Sequence, residues 1–248
     1  MILEEVTDGV RNIFNNASRV CVLTGAGISA ESGVPTFRGG GGAAMWTWRG
    51  KPLTQLSSAE LLATDPKLVW EWFDYRRGLL TEVHPNPGHK ALAEWENKYD
   101  DFTLVTQNID NLHRIAGNRN ILELHGNLWY ARCLKCASVF EAPETPLKEI
   151  PPKCPDCGGN ARPHVVLFGE LLPLGVFDEA EEAASRSELF FVIGTSAVVY
   201  PAASLPAIAS EAGAAIIEVN PELTEISNYA DYTILGKAGE VLPAFMES

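Results

Sequence analysis

The stretch that decides the fold is VCVLTGAGISA at residues 20–30. A short apolar, β-branched run is followed by a glycine turn and then by small residues that can begin a helix. Strand, turn and helix in this order aim backbone N–H groups at a phosphate. Only part of the G-x-G-x-x-G fingerprint is present, and Glu31 lies too close to Gly27 to be the ribose-binding acid expected about twenty residues further on. The stretch therefore indicates a nucleotide site and disfavours an ordinary dehydrogenase.

On either side of this stretch, apolar runs alternate with helical patterns. Strands are predicted at 102–106, 121–124, 189–194, 214–219 and 232–235, and helices at 66–80, 87–97, 177–185 and 202–212. Residues 1–10 are acidic and have helical periodicity. Alternating strands and helices predict an α/β fold built on a doubly wound parallel sheet.

Four cysteines interrupt this rhythm between residues 129 and 163. Cys133 and Cys136 form one C-x-x-C pair, Cys154 and Cys157 form another, and 17 residues separate the pairs. This spacing is typical of four thiolates around one structural zinc ion, so a zinc-ribbon insert outside the main sheet is expected at 129–163. Two disulfides or four unrelated cysteines are the alternative. Cys21 lies in an apolar strand and is assigned to the core.

Composition limits the class of protein. The chain has 248 residues, 46% of them hydrophobic, and a net charge of −13. No apolar run reaches the roughly eighteen residues of a membrane span, and residues 1–10 do not resemble a secretory signal, so we expect a cytoplasmic protein that uses no membrane. Phosphate backbones require clustered Lys and Arg, so nucleic acid is excluded as a partner. Four glycines at 39–42 predict a mobile lid that orders on ligand, or else an ordinary flexible connection.

Polar residues follow two of the predicted strands. Gln107, Asn108 and Asp110 come after one strand, and Thr195 and Ser196 follow Gly194 after another. The carboxyl ends of parallel strands line the ligand crevice of such sheets, although helix capping is the alternative for each cluster.

A single histidine stands at a strand end beside a glycine. His125 precedes Gly126 and is the best candidate for a general base. The other four histidines are assigned to the surface or to packing.

A series of motifs along the chain resembles that of sirtuins, in the same order. These motifs are GAGIS (25–29), PTFRG (35–39), TQNID (106–110), LHG (124–126), the four cysteines, FGE (168–170), GTS (194–196) and VNP (219–221). The resemblance extends over residues 17–244. It implies an NAD-dependent protein-lysine deacylase, with a Rossmann-like NAD-binding domain at 1–128 and 164–248 and the zinc ribbon between. A lid and a small helical insert are expected at about 36–85. The substrates would be acylated lysine side chains of proteins.

The resemblance also implies a role for each matching residue. His125 would be the general base that activates a ribose hydroxyl after the acyl oxygen has displaced nicotinamide, giving free lysine, nicotinamide and 2′-O-acyl-ADP-ribose, and Asn108 would assist it by holding the ribose and a water. NAD would contact Gly25, Ala26, Gly27, Ser29, Phe37, Arg38, Gln107, Asn108, Ile109, Asp110, Gly194, Thr195, Ser196, Asn220 and Ala238. The acyl-peptide would contact Val165, Phe168, Gly169 and Glu170 by edge addition to a strand.

Acyl preference follows from a helix at 70–77. It resembles the segment that carries Tyr-x-x-Arg in the branch that removes succinyl and malonyl groups, with Arg76 retained and Phe73 in the place of the tyrosine. Tyr75 lies on another helix face and is no substitute. Arg76 is either the partner of an acyl carboxylate or a surface charge, and Ser57 is expected to leave the pocket roomy.

Two other classes of function stay open on the sequence. An ADP-ribosyltransferase would use the same NAD cleft, and a zinc-ribbon adaptor would only bind nucleotide. The adaptor does not explain why Asn108, Asp110 and His125 occur together.

Overall fold

A computed structural model describes residues 1–3, 5–35 and 47–247. In chain order, the strands in these ranges are β1 (Ile2–Leu3), β2 (Arg19–Thr24), β3 (Thr47–Trp48), β4 (Lys51–Pro52), β5 (Asp101–Thr106), β6 (Ile121–Glu123), β7 (Gly126–Cys133), β8 (Val139–Glu141), β9 (Ala161–Val165), β10 (Leu189–Ile193), β11 (Ala215–Asn220) and β12 (Tyr232–Leu235).

The helices in the same ranges are α1 (Asp8–Asn16), α2 (Leu53–Leu56), α3 (Ala59–Thr64), α4 (Pro66–Leu80), α5 (Pro87–Lys98), α6 (Leu112–Ala116), α7 (Val176–Arg186), α8 (Leu205–Glu211) and α9 (Ala238–Ala244). Short 3₁₀ helices occupy Ala26–Ser32, Ala202–Ser204 and Ile226–Asn228. Within the described part of the chain, no helix is long and apolar enough to cross a membrane.

Seven parallel strands form the central sheet, in the order β1-β12-β11-β10-β2-β5-β6. Both faces are covered, which explains the continuous apolar runs. In β2, Val20 and Val22 pack in the cluster that includes α1, α5 and α9, whereas Cys21 and Leu23 pack in the cluster that includes α7 and α8. The predicted doubly wound α/β fold is therefore confirmed.

The strand order reverses between β2 and β10. From β2 the chain adds β5 and then β6 on one side, and it later adds β10, β11 and β12 on the other. In open α/β sheets, this reversal opens a crevice at the carboxyl ends of the strands, where ligands bind. Both polar clusters singled out in the sequence follow β5 and β10, and so lie at this edge.

Capping residues and prolines in the sequence fix where helices α4 and α5 begin. Asp65 caps α4 by accepting a hydrogen bond from Leu68 N at 3.0 Å, and Pro66 occupies the first turn. Asn86 caps α5 in the same way, accepting from Gly88 N at 2.9 Å with Pro87 next to it.

A second, antiparallel sheet has the order β8-β7-β9 and carries the four paired cysteines at its end. It spans residues 126–165, slightly more than the expected insert, and the domain boundaries at 129 and 163 stay a prediction. Helices α2 and α4 pack on it through the apolar cluster of Leu53, Leu56, Val69, Trp72, Phe73, Leu128, Val165 and Leu167. Both helices fall within residues 36–85, where the small helical insert is predicted.

The amino terminus differs from its predicted helical pattern. Residues 2–3 form β1, which pairs with Thr233 and Ile234 of β12, and α1 begins only at Asp8. The unpaired edge of β12 is the physical reason, because pairing with it satisfies backbone groups that a helical turn would leave in solvent. The glycine-rich lid expected at 39–42 lies outside the described residues.

Candidate active site

The glycine turn after β2 touches the turn after β10 at the point where the strand order reverses. The backbone N–H of Gly27 donates to the Gly194 carbonyl oxygen at 2.7 Å. A Cβ on Gly25 would lie 2.6 Å from the Thr195 Cβ, and one on Gly27 would lie 2.7 Å from the Gly194 Cα. Only glycine permits this approach, which keeps side chains out of the crevice and leaves backbone for a nucleotide to contact. Ala26 lies half-buried between the two glycines.

Three side chains form a hydrogen-bonded group beside this turn. Ser29 Oγ donates to Asp110 Oδ2 at 2.7 Å, while Asn108 Nδ2 donates to the Gly25 carbonyl oxygen at 3.0 Å and to Ser29 Oγ at 3.3 Å. Asp110 Oδ1 accepts from Leu112 N at 2.9 Å. Burial raises the pKa of Asp110 against the opposing effect of these two hydrogen bonds. A carboxylate has capacity for a further donor, so the group can still accept from a ligand amide.

The imidazole ring of His125 is held by a hydrogen bond at Nδ1. Nδ1 lies 2.9 Å from the Gln107 carbonyl oxygen, and because a carbonyl only accepts, Nδ1 carries the hydrogen and Nε2 keeps its lone pair. Burial lowers the pKa of His125, and the bond to Gln107 opposes that shift. The imidazole is therefore neutral at neutral pH and able to accept a proton at Nε2. Next to it, Gly126 has φ of +77° and leaves no room for a Cβ, which would lie 2.2 Å from the His164 carbonyl oxygen.

The remaining expected cofactor residues that the structure describes lie along the same edge. Gln107 Nε2 donates to Thr195 Oγ1 at 3.1 Å, and Asn220 Nδ2 donates to the Thr195 carbonyl oxygen at 3.0 Å, so the ends of β5, β10 and β11 are tied together. Ser196 and Ile109 are half-buried, and Ile109 also packs on the apolar cluster around α4. Ala238 begins α9, next to Gly239, whose N–H donates to Glu31 at 2.7 Å. Phe37 and Arg38 lie outside the described residues.

On the other side of Asp110 lies helix α4. Phe73 is fully buried, and the Arg76 guanidinium carbon lies 5.8 Å from the ring centroids of both Phe73 and Trp72. Burial lowers the pKa of Arg76 to about 10, with the Asp110 carboxylate acting in the opposite direction, so the guanidinium stays charged and lies near that carboxylate. Ser57 accepts a hydrogen bond from Trp72 Nε1 at 3.0 Å. Tyr75 is half-exposed and stacks on Trp72.

The expected substrate strand runs on from β9. Val165 is buried, and Val166 N donates to the His125 carbonyl oxygen at 2.9 Å. Phe168 makes two backbone hydrogen bonds at the start of α3: its N–H donates to the Ser57 carbonyl oxygen at 2.8 Å, and its carbonyl oxygen accepts from Ala59 N at 3.0 Å. Gly169 follows in the left-handed region, with φ of +89°. The two carboxylate oxygens of Glu170 accept hydrogen bonds from Arg162 Nη1 and Nη2, at 2.5 and 2.8 Å.

The four sulfurs of the antiparallel sheet converge. All of them lie within 4.8 Å of one another, with Sγ–Sγ distances of 3.4 Å for Cys133 and Cys157 and 3.7 Å for Cys136 and Cys154. A tetrahedral zinc ion with Zn–S bonds of about 2.3 Å requires sulfurs about 3.8 Å apart, which these positions fit. The backbone N–H groups of Cys136 and Lys135 lower the pKa of Cys133 to about 6, which favours the thiolate. The arrangement suits one structural zinc ion with no open position.

The sequence assigned His89 and His113 to the surface or to packing, and their contacts beside the glycine turn were not predicted. His89 Nε2 lies 3.3 Å from Ser29 Oγ, and its ring centroid lies 4.9 Å from that of His113, which contacts Thr24 Oγ1 at 3.0 Å. Arg162 was missed as well. No sequence signal joins these groups, because 60 residues separate His89 from Ser29 and 89 separate His113 from Thr24.

Known proteins resemble the whole of this arrangement. The model of the Sir2 family matches residues 25–201. An NAD-dependent protein deacylase of Aquifex aeolicus (strain VF5) is 50% identical over 219 residues, which is 88% of this chain and 90% of the relative. A crystal structure of a Sir2 homologue in complex with NAD superposes with a TM-score of 0.89 at 42% identity, covering 99% of this chain and 94% of the other.

A complex of Sir2 with a p53 peptide and NAD⁺ superposes with a TM-score of 0.83 at 31% identity, covering 97% of each chain. The solved structures share the fold described above over nearly the whole chain. The chain therefore belongs to the Sir2 family of NAD-dependent protein deacylases.

Proposed function

We propose that this deacylase transfers the acyl group from a protein lysine to the ADP-ribose part of NAD, with His125 as the general base. One water is consumed, and the products would be deacylated lysine, nicotinamide and 2′-O-acyl-ADP-ribose. The observation that carries the proposal is the Nδ1 hydrogen bond of His125 to the Gln107 carbonyl oxygen, 2.9 Å long, which leaves Nε2 free to accept a hydroxyl proton.

NAD supplies the ribose carbon that receives the acyl oxygen and the nicotinamide that leaves. Asp110 would accept from the nicotinamide carboxamide, since its carboxylate is fixed by Ser29 and Leu112 and keeps acceptor capacity. Asn108 would hold the ribose and a water. The glycine turn, Ser196 and Thr195 would bind the pyrophosphate, while Asn220 and Ala238 would lie at the adenosine end. Phe37 and Arg38 keep their assigned roles as cofactor residues on motif grounds alone.

The acyl-lysine peptide would add to the strand that follows β9. One edge of Phe168 is already paired with Ser57 and Ala59, so the edge on which Gly169 lies is the one open to a peptide. The backbone of this strand also reaches the reacting histidine, through the bond from Val166 N to the His125 carbonyl oxygen. The complex of Sir2 with a p53 peptide supports a protein substrate of this kind.

Acidic acyl groups would be accepted as well as acetyl. Arg76 remains charged between Phe73, Trp72 and the Asp110 side of the crevice, where an acyl carboxylate would gain a charge-assisted hydrogen bond. Phe73 lacks the hydroxyl that completes the Tyr-x-x-Arg pattern, and one hydrogen bond to a charged group contributes about 1.5 to 3 kcal/mol. Succinyl and malonyl activity would therefore be weaker than in relatives with both residues.

The test is mass spectrometry of NAD incubated with acetyl-, succinyl- and malonyl-lysine peptides, with NAD omitted as the control. We expect free lysine peptide and the matching acyl-ADP-ribose in equal amounts. The relatives are deacylases and do not favour the second candidate, an ADP-ribosyltransferase. Peptide that gains ADP-ribose while keeping its acyl group would favour that candidate, and acyl loss without NAD would refute the proposal.

A further inference from the structure

A partly buried ion pair between Arg162 and Glu170 closes the chain from β9 to residue 170 into a small loop. Arg162 lies in β9 with its side chain only 7% exposed, and the Glu170 side chain is 24% exposed. The guanidinium donates from Nη1 and Nη2 to the two carboxylate oxygens of Glu170, at 2.5 and 2.8 Å. This is the bidentate geometry in which arginine binds a carboxylate most strongly.

The pair also holds the backbone between its two members. Arg162 Nη2 donates to the Val165 carbonyl oxygen at 2.9 Å, and Nε donates to the Pro163 carbonyl oxygen at 3.2 Å. Glu170 Oε2 accepts from Leu167 N at 2.9 Å, and Glu170 N donates back to the Leu167 carbonyl oxygen at 3.0 Å. The residues from 163 to 170 are therefore fixed from inside the loop.

Glu170 is thus engaged with its own chain. Hydrogen bonds from Arg162 and Leu167, together with the charge of Arg162, lower the pKa of Glu170 against the effect of burial, so the carboxylate is ionised at neutral pH. Its oxygens point at the loop backbone and at Arg162, whereas the Phe168 side chain is half-exposed. A carboxylate in this position orients the strand more directly than it contacts a peptide.

The geometry points to Arg162 and Glu170 as positioning residues for acyl-peptide binding, which rests on the function proposed above. By closing the loop, the pair sets the backbone of Gly169 and the side chain of Phe168 before a peptide arrives. Preorganisation of this kind lowers the entropic cost of binding without changing the reacting groups. Loss of the pair should therefore weaken peptide binding and leave NAD binding and the chemical step intact.

The experiment compares Glu170→Ala and Glu170→Gln with wild type in steady-state deacetylation, at varied peptide and at varied NAD. We expect Glu170→Ala to raise the KM for peptide about tenfold or more, with kcat and the KM for NAD within about twofold. Glu170→Gln keeps an oxygen that accepts from Leu167 N and from Arg162, so it should restore most of the wild-type KM. A purely structural role would not separate peptide from NAD in this way.

Glu188→Ala is the matched control. The Glu188 carboxylate also accepts from an arginine, Arg19 at 2.7 Å, and from a backbone N–H, that of Ser18 at 2.8 Å. Glu188 lies just before β10, at the amino ends of the parallel strands and away from the crevice at their carboxyl ends. Its kinetic constants should equal those of wild type.

Three results decide the inference. If Glu170→Ala folds with a peptide KM within about twofold of wild type, the pair does not position the substrate. If Glu170→Ala does not fold, Glu170→Gln decides, since a small rise in peptide KM alone supports the inference and a fall in kcat with unchanged peptide KM refutes it. A wild-type protein with no turnover on any acyl-peptide refutes the proposed function, and this inference with it.

Discussion

The hydrogen bond from His125 Nδ1 to the Gln107 carbonyl oxygen fixes which ring nitrogen carries the proton. The neighbouring Gly126 adds a second constraint, because its positive φ and its close approach to the His164 carbonyl oxygen hold the start of β7 in one place. An imidazole with a set tautomer and a lowered pKa is suited to accept a proton rather than to pack a core.

His125→Ala should therefore abolish deacylation while leaving the fold intact. General-base catalysis contributes about 10²- to 10⁴-fold, so kcat/KM for an acetyl-lysine peptide should fall by at least 10²-fold, with an unchanged melting temperature. The control is His84→Ala, since His84 is exposed. Turnover within about tenfold of wild type would contradict the assignment.

Arg76 is the residue on which the proposed acyl preference depends. Arg76→Met keeps most of the length of the side chain and removes its charge. The transition-state stabilisation measured by kcat/KM for succinyl-lysine should therefore fall by about 2 to 3 kcal/mol, chiefly through a higher KM, while kcat/KM for acetyl-lysine stays nearly unchanged. Phe73→Tyr should shift the ratio toward succinyl. Arg119→Met, at an exposed arginine in the turn before β6, is the control. Equal losses for both acyl groups would make Arg76 a structural residue and the enzyme a plain deacetylase.

At the scale of elements, different residues of helix α4 contact different parts of the molecule. Arg76 lies over Phe73 and Trp72 near the Asp110 carboxylate. Trp70, Asp74 and Arg77 form a stripe at i, i+4 and i+7 that faces the zinc-ribbon region. Trp70 Nε1 donates to the Ala161 carbonyl oxygen at 2.8 Å and Arg77 Nε to the Leu128 carbonyl oxygen at 2.8 Å. Asp74 accepts from Thr145 Oγ1 and Leu147 N at 3.0 and 3.1 Å. The helix thus joins the antiparallel sheet to the surroundings of Arg76 and Asp110.

Removal of one zinc ligand tests this sheet. Cys154→Ser should lower both the zinc content, from one ion per chain, and the melting temperature, because structural zinc contributes directly to the free energy of folding. Zinc is measured by metal analysis and stability by calorimetry. Cys21→Ala serves as the control, since that thiol is buried in the main core and should leave zinc content unchanged. A zinc-free Cys154→Ser with the wild-type melting temperature would show that the metal is not structural.

Most of the elements could be predicted from the sequence because their signals are local. The strand at 102–106 and the helix at 66–80 match β5 and α4, since one is a continuous apolar run and the other begins with a capping Asp and a Pro. β1 was not predicted, because a two-residue edge strand depends on β12, some 230 residues away. The pair of Arg162 and Glu170 was missed for a related reason, as a charge in a strand does not reveal its partner.

At the scale of the whole molecule, two buried imidazoles pack against the residues of the glycine turn that lines the crevice. His89 from α5 and His113 from α6 meet beneath the glycine turn, where they contact Ser29 and Thr24. Burial lowers the pKa of His89 to about 4 and that of His113 well below its usual value, with the neighbouring His89 adding to the second shift. Both rings are neutral in the folded state. Helices α5 and α6, strand β2 and the 3₁₀ helix that carries Ser29 are thus joined by groups that cannot be protonated without cost.

Protonation should therefore destabilise the fold before the carboxylates titrate. The unfolded histidine has a pKa near 6.5, above the folded value, so the stabilising effect is complete above pH 6.5 and is lost as pH falls toward 4. Within that window each such histidine contributes a slope of up to about 1.4 kcal/mol per pH unit. Denaturant unfolding at pH 7.5, 6.5 and 5.5 measures the free energy of unfolding.

The His113→Gln variant isolates this contribution, because glutamine keeps a polar group near Thr24 but does not titrate. Its unfolding free energy should fall less steeply with pH than that of wild type, whatever its stability at pH 7.5, whereas His84→Gln, at an exposed site, should keep the wild-type slope. The comparison of slopes removes the effect of lost packing, which is the same at every pH. Identical slopes for His113→Gln and wild type would mean that His113 titrates with the same pKa in the folded and the unfolded protein, and that burial does not disfavour its protonation.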